Sequence, residues 1–233
     1  MLDLLALSPP GWGGALLRGA LVTLEIAALA YAVGILLGLV GAAAKLSSSR
    51  VLFVVAELYT TLIRAVPELL LIILLFYAGS SGIAALLTSL GFGEVEISGF
   101  AAAIGVLGFV QGAYQTEVFR GAILAIPRGQ IEAARAYGMS SALRLRRIVI
   151  PAMLPLALPG LANLWMILLK DTALISVVGF TELTYAGKQA AGTTKEYMLF
   201  YLAVGAIYLA MTLGSNVLFG LVERHLRRGM QAA

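Results

Sequence analysis

The chain has 233 residues, of which 61% are hydrophobic and 12% charged, with a mean hydropathy of +0.96. A soluble domain carries roughly 25% charged residues, so this composition indicates a protein that is embedded in a lipid bilayer. There is no cysteine and only one histidine, His225, which excludes a disulfide framework and a cysteine- or histidine-rich metal site within this chain. The net charge of +4 arises mainly from basic residues in short loops, a pattern typical of membrane orientation and not of nucleic-acid binding.

Long apolar segments dominate the chain, and we assign five spans at 14–44, 51–78, 98–125, 153–175 and 197–221. Each exceeds the roughly 20 residues that a helix needs to cross the hydrocarbon core. The segments are continuously apolar and do not alternate, which favours helices over barrel strands. We therefore predict an all-α, polytopic helix bundle that forms one membrane domain over residues 1–233. Gly34, Gly38 and Gly41 are expected to permit close helix packing.

Charge alternates between the loops that separate the predicted spans. Acidic Glu94 and Glu96 follow the second span, whereas basic residues follow the first, third and fifth: Lys45, Arg50, Arg128, Arg135, Arg144, Arg146, Arg147, Arg224, Arg227 and Arg228. Basic loops face the cytoplasm. The pattern predicts an N terminus outside the membrane and a C terminus in the cytoplasm.

The cytoplasmic loop at about 127–151 reads PRGQIEAARAYGMSSALRLRRIVIP. Good helix formers run from Pro127 to Gly138, where glycine favours a helix end. Ser140 or Ser141 can cap a second short helix, which Pro151 is expected to end before the fourth span. Taken from physics alone, the loop is equally compatible with an amphipathic connector that its arginines hold at the lipid headgroups.

The spacing of six residues in this loop resembles the EAA loop of ABC-importer permeases. Glu, Ala, Ala, three residues, Gly, nine residues and Ile-x-x-Pro occur here as Glu132, Ala133, Ala134, Gly138, Ile148 and Pro151. Ile150 departs from the leucine usual in that family. Further blocks resemble the polar amino-acid permeases, particularly those for histidine, arginine, lysine, ornithine and opines: GALVTLEIA, YTTLIRAVPELLLI, GAYQTEVFRGAILAIPRGQIEAA and LPGLANLWMILLKDTALISVVG.

The resemblance implies a permease subunit in a bacterial inner membrane that imports a polar, basic amino acid by alternating access. It implies three kinds of partner: a cytoplasmic ABC ATPase dimer, a second permease chain that is identical or homologous, and an extracytoplasmic amino-acid-binding protein. ATP and magnesium belong to the ATPase, because this chain has no GxxxxGK[ST] phosphate-binding loop and no expected cofactor of its own. Glu132, Ala133, Ala134 and Gly138 would then dock the permease onto the ATPase.

A charge at the bilayer centre costs about 3 kcal/mol or more, so the charged residues inside the spans need partners. We group Glu25, Glu57, Arg64 and Pro67 as a candidate gate or polar network, in which Arg64 bonds backbone carbonyls or Glu57. Glu25 shares a helix face with Leu21 and Leu29, and it pairs with Arg64 or faces the permease partner.

Glu117 and Arg120, three residues apart, are expected to form a local ion pair or a headgroup anchor.

The fourth span concentrates polar groups and is our candidate for substrate binding and translocation. Its members are Asn163, Trp165, Lys170, Asp171, Thr172 and Ser176. Together they offer donors for a carboxylate and acceptors for an ammonium group. The alternative is that Lys170 and Asp171 neutralise each other and only stabilise a helix break. Leu164, where several relatives carry a polar residue, counts against recognition of a basic side chain by this subunit.

Two other functions compete with the importer. A proton-coupled secondary transporter would use Glu25 or Glu57 as its relay, and the EAA spacing counts against it. An intramembrane enzyme would need a nucleophile with its base or a metal cluster, and the sequence offers neither. We therefore expect a transport subunit and not an enzyme.

Overall fold

The computed structural model describes residues 2–92 and 97–228, so Glu94 and Glu96 lie outside the described residues. All regular elements in these ranges are helical. The α-helices are α1 (Gly13–Lys45), α2 (Arg50–Ala65), α3 (Glu68–Leu74), α4 (Ser80–Ser89), α5 (Gly99–Leu124), α6 (Arg128–Ala136), α7 (Ser141–Arg144), α8 (Ile150–Asp171), α9 (Leu183–Thr194) and α10 (Tyr197–Arg228). Shorter 3₁₀ turns cover Leu2–Leu5 and Thr172–Val178, and π-helical turns cover Leu75–Gly79 and Leu145–Val149.

Four helical stretches are long and apolar enough to cross a membrane: Gly13–Lys45, Glu68–Ser89, Ser141–Val178 and Tyr197–Leu226. Helix α5 has 26 residues, or about 39 Å, and is also long enough. It is less apolar because Gln111, Gln115, Glu117 and Arg120 lie along it. The predicted all-α membrane bundle is confirmed, with α5 packed inside it.

The second predicted span, 51–78, is not one continuous helix. Helix α2 ends at Ala65, Val66 takes an extended conformation with ψ 140°, and α3 begins after Pro67. Proline has no N–H to donate and disfavours the helical conformation at the preceding residue, which accounts for the break at Pro67. The span then continues through the π-helical turn to Ser89, eleven residues beyond the predicted end.

The predicted helix end at Pro151 is wrong. The helical stretch that begins at Ser141 continues through Leu145–Val149 into α8, and Pro151 occupies the first turn of α8. Proline is tolerated there, and the wider π-helical turn before it accommodates the missing hydrogen bond. The stretch between the fourth and fifth predicted spans, 176–196, was assigned no helix, whereas Leu183–Thr194 within it forms α9.

Helices α1 and α5 pack most closely, along the glycine face predicted for α1. A Cβ added at Gly34 would lie 3.1 Å from Cβ of Gln111, and one at Gly38 would lie 2.7 Å from Cβ of Gln115. These distances leave no room for a side chain, so close packing at the glycines is confirmed. Ile26 and Leu107 are fully buried beside this contact and contribute to the main core cluster.

Candidate coupling surface and polar membrane site

Helix α6 ends in a glycine-dependent cap. Gly138 has φ +72°, its N–H donates to the carbonyl of Arg135 at 2.9 Å, and the N–H of Met139 donates to the carbonyl of Ala134 at 3.0 Å. This pair of bonds is the Schellman arrangement, which needs a left-handed residue after the helix. The prediction that Gly138 ends the first loop helix is confirmed. Ser140 then caps α7 by accepting from Leu143 N–H at 3.4 Å.

The α6 helix presents one face outward and one face to the bundle. Glu132 and Ala133 are exposed, whereas Ala134 is 3% exposed. Tyr137, just before the turn, is 86% exposed, an unusual position for an aromatic ring. The outward surface therefore combines a carboxylate, a small side chain and a projecting ring, and it is suited to insertion into a cleft on another protein. Sequence reasoning missed Tyr137.

The inward face of α6 connects this surface to three long helices. Ile131 packs against a buried cluster that includes Ala42 of α1, Phe119 of α5 and Met153 of α8. Because packed interiors transmit displacement with little compression, a push on α6 reaches the adjacent ends of all three helices. We name this group of residues the relay cluster.

Next to the relay cluster, Lys45 forms the centre of an ion-pair network. Its Nζ lies 2.8 Å from Oε2 of Glu57 and 2.5 Å from Oε1 of Glu117, and its side chain is only 3% exposed. Arg120 completes the chain, 3.6 Å from Oε2 of Glu117. The predicted local pair between Glu117 and Arg120 is therefore confirmed. The network joins α1, α2 and α5.

The proposed grouping of Glu25, Glu57, Arg64 and Pro67 is not a single network. Glu57 pairs with Lys45, and Arg64, for which Glu57 was one of two expected partners, forms no ion pair with it within residues 2–92 and 97–228. The guanidinium of Arg64 instead lies 5.9 Å from the ring centroid of Tyr114, within the range of a cation–π contact. Glu25 is exposed on the α1 face that carries Leu21 and Leu29, and no ion pair within residues 2–92 and 97–228 involves it.

The candidate residues of the fourth span differ in burial. Asn163 and Lys170 are exposed on one face of α8, and Asp171 and Ser176 are partly buried. Thr172 is fully buried, and its hydroxyl donates to the carbonyl of Leu169 at 2.7 Å. Thr172 therefore stabilises the change from α-helix to 3₁₀ turn at this point. This is a structural role, as in the alternative in which the polar residues only stabilise a helix break.

Trp165 lies in an aromatic group and not with the charged residues of α8. Its ring meets Tyr31 edge-on at 5.3 Å between centroids and lies 6.4 Å from Phe219. The Tyr31 hydroxyl donates to the carbonyl of Leu161 at 2.7 Å. These contacts support packing between α1, α8 and α10 at this position.

A carboxyl pair lies where two interrupted helices meet. Glu68 begins α3 directly after the Pro67 break, Asp171 ends α8, and the two carboxyl groups lie close enough to interact electrostatically. Tyr114 of α5 lies close enough to interact with Glu68, and Lys170 lies close enough to interact with Asp171. Sequence reasoning did not assign Glu68 or Tyr114 to this site. The signal that pointed to Glu68 was its place after a proline inside an apolar span.

The sequence from residue 34 to residue 228 matches the family described as binding-protein-dependent transport system inner membrane component. The match covers well over half of the chain. The chain belongs to this family of permeases.

Named relatives and a solved structure agree with this assignment. The permease is 44% identical over 223 residues to the histidine/lysine/arginine/ornithine transport system permease protein HisQ of Salmonella typhimurium, covering 96% of this chain and 98% of that protein. It is 45% identical over 231 residues to the octopine transport system permease protein OccQ of Rhizobium radiobacter, covering 98% and 97% of the two chains. A crystal structure of an amino acid ABC transporter with histidines matches with a TM-score of 0.78 and 34% identity, covering 92% of this chain and 95% of that one.

The resemblance to ABC permeases that the EAA spacing indicated is therefore confirmed, and a proton-coupled secondary transporter is not favoured. Members of this family are transport subunits of the inner membrane. They work in binding-protein-dependent systems, with ATPase, substrate-binding and permease partners.

Proposed function

We propose that the permease imports a basic amino acid or an opine, and that its substrate binds at the carboxyl pair formed by Glu68 and Asp171. The pair lies where α3 begins and where α8 changes to a 3₁₀ turn. Transporters place substrate sites at such interruptions, because the broken helices free backbone groups and helix ends inside the membrane. This meeting of two helix breaks at a pair of acids is the observation that carries the proposal.

The chemistry of the site suits a cationic amino acid. Two neighbouring carboxyl groups provide acceptors for an ammonium or guanidinium group, and the latter can bind carboxylate in a bidentate manner. Lys170 and Arg64, both exposed near the pair, offer positive charge for the substrate carboxylate. Asn163, about two turns before Lys170 on the same helix, extends the polar face of α8.

On the cytoplasmic side, we propose that Glu132, Ala133, Ala134 and Gly138 form the surface that docks on the ATPase dimer. ATP binding by that partner would move α6, and the relay cluster would pass the displacement to α1, α5 and α8. The permease would thereby alternate between outward-open and inward-open packing, with its N terminus outside and its C terminus in the cytoplasm. The energy comes from the different affinities of ATP and the loaded binding protein for the two states.

Reconstitution tests this function. The permease, with its second permease chain, its ATPase and its binding protein, is placed in proteoliposomes, and uptake of labelled lysine, arginine, histidine and glutamine is measured. Asp171→Asn and Glu68→Gln are expected to raise the KM for the cationic substrates about tenfold, since each removes one charged acceptor. Glu196→Gln, a matched carboxyl-to-amide change outside the site, controls for surface charge.

Two results would contradict this proposal. Uptake that follows a proton gradient without ATP would overturn the importer mechanism itself. Equal KM values in wild type, Asp171→Asn and Glu68→Gln would keep the importer but remove the carboxyl pair from its substrate site.

A further inference from the structure

Helix α9 lies at the opposite end of the bundle from α6. It packs on the first turns of α1, where a Cβ added at Gly19 would lie 2.8 Å from the Cα of Leu183. The relay cluster beneath α6 includes Ala42, near the other end of α1. Gly19 and Ala42 are 23 residues apart on one helix, or about 34 Å, which exceeds the roughly 30 Å of a hydrocarbon core. The two short helices therefore lie on opposite sides of the membrane.

A groove with a volume of about 480 Å³ opens between α9 and Trp12, the residue before α1. It is lined by Trp12, Tyr185, Lys188, Gln189, Gly192 and Thr193. The lining offers an ammonium group, an amide and a hydroxyl beside two aromatic rings. Aromatic walls with a few hydrogen-bond donors and a cation are the composition of a protein-docking hot spot that receives an acidic side chain.

The charge of this surface supports an acidic partner. Lys188 and Lys195 are exposed, and within residues 2–92 and 97–228 no ion pair involves either lysine. The nearby carboxyl of Glu182 is fully buried and faces away, toward Thr23 and Tyr208. Basic residues are depleted from extracytoplasmic segments, so Lys188, which lines the groove, calls for a binding role there.

We propose that this groove is the docking site for an acidic side chain on the extracytoplasmic solute-binding protein. The inference rests on the proposed function, which places α9 outside and α6 in the cytoplasm. The binding protein is the soluble partner that must meet the permease on that side. Lys188 supplies the charge that steers it, while Trp12 and Tyr185 supply the desolvated walls of the contact.

The test uses the complete importer in proteoliposomes and titrates the loaded binding protein while ATP hydrolysis is measured. Lys188→Glu is expected to raise the half-stimulating concentration of binding protein about tenfold, because attraction becomes repulsion. Lys195→Glu makes the same charge change outside the groove, and it is expected to shift the half-stimulating concentration less than twofold. For the wild type, the half-stimulating concentration of binding protein should rise with salt, because salt screens the attraction between the docking charges.

A second measurement locates the contact. A photo-crosslinker attached to Gln189→Cys is expected to form an adduct with the binding protein, and one attached to Leu202→Cys, on the exposed face of α10, is not. An adduct from Gln189→Cys to the second permease chain would instead make the groove a permease interface and overturn the proposal.

The outcomes separate the two levels of inference. If wild type shows no stimulation by any loaded binding protein, the importer function itself fails. If wild type is stimulated but Lys188→Glu and Lys195→Glu give equal titration curves, the function stands and the groove is not the docking site.

Discussion

Lys45, the last residue of α1, places its ammonium nitrogen 2.8 Å from Oε2 of Glu57 on α2. The same nitrogen contacts Glu117 on α5, so a single buried cation links three helices. The relay cluster lies one helical turn away, at Ala42. Displacement of α6 is therefore expected to move α1, α2 and α5 together and not one at a time.

Replacing Lys45 with methionine tests this role. The change keeps a side chain of similar length but removes the cation between Glu57 and Glu117, which leaves Glu57 without its partner and Glu117 with Arg120 alone. Removing one partner of a buried pair costs 3–5 kcal/mol, and we expect about 2 kcal/mol here because Glu57 is half-exposed and partly solvated. In detergent, thermal unfolding should show a Tm about 5 °C lower.

Arg50→Met is the control, because Arg50 is an exposed cation near the same end of the bundle. Its Tm should stay close to wild type. The double variant Lys45→Met with Glu117→Gln should recover part of the loss, because it removes one of the repelling charges. Equal Tm values for Lys45→Met and wild type would show that the network adds nothing to stability.

Gly38→Ala is expected to destabilise the contact between α1 and α5. The added Cβ would lie 2.7 Å from Cβ of Gln115, a side chain that is fully buried and has no room to shift. Overpacking of this kind costs about 2 kcal/mol, measurable as a lower Tm. Gly121→Ala on α5 is the matched control, since its Cβ would meet no atom within 4 Å. A helical glycine in open space should gain slightly from alanine. Equal losses for both variants would contradict close packing as the cause.

Gly138→Ala should uncouple transport from ATP hydrolysis. Alanine at φ +72° costs about 1–2 kcal/mol, and relief of that strain would redirect the chain after Tyr137. We expect lower uptake per ATP hydrolysed in proteoliposomes, with assembly checked by co-purification of the ATPase. Gly129→Ala, within α6 and facing open space, is the matched control and should keep the wild-type ratio. An unchanged ratio in Gly138→Ala would show that the left-handed turn is not needed for coupling.

Features that depend on local sequence were predicted from the sequence, and contacts between distant residues were not. Gly138 and Ser140 act within one or two turns, so spacing and composition were enough to place the cap and the start of α7. The break at Pro67 also follows from local chemistry, yet the long apolar run around it suggested a single span. Helix α9 was missed because its composition is only weakly apolar and it is short.

The candidate site was harder to predict because its members are far apart in sequence. Glu68 and Asp171 meet only because α3 and α8 are brought together by the fold. Glu57 had two cations within reach, Arg64 two helical turns further along α2 and Lys45 across a short loop, and the structure pairs it with Lys45. The choice between them depends on how α1 turns into α2, which spacing alone does not determine.

Glu182 joins three helices through one buried carboxyl group. Its Oε2 accepts hydrogen bonds from the hydroxyl of Thr23 on α1 at 3.2 Å and that of Tyr208 on α10 at 3.0 Å. Its Oε1 accepts from the N–H of Tyr185 at 2.9 Å, which caps α9. Burial raises the pKa of Glu182, although these hydrogen bonds oppose the shift. The folded protein therefore holds this proton more tightly than the unfolded chain does.

The sign of the resulting pH dependence follows from that difference. Because the folded state binds the proton at higher pH than the unfolded state, the free energy of unfolding falls as pH rises from about 4.3 toward the raised pKa of Glu182. Glu182→Gln keeps an acceptor for Thr23 and Tyr208 but cannot titrate. In detergent, the Tm of Glu182→Gln relative to the Tm of wild type should therefore increase as pH rises across this range. Glu196→Gln, at a partly exposed carboxyl beyond α9, is the control and should follow the wild-type curve. A constant difference between Glu182→Gln and wild type at every pH would mean that Glu182 does not contribute to the pH dependence.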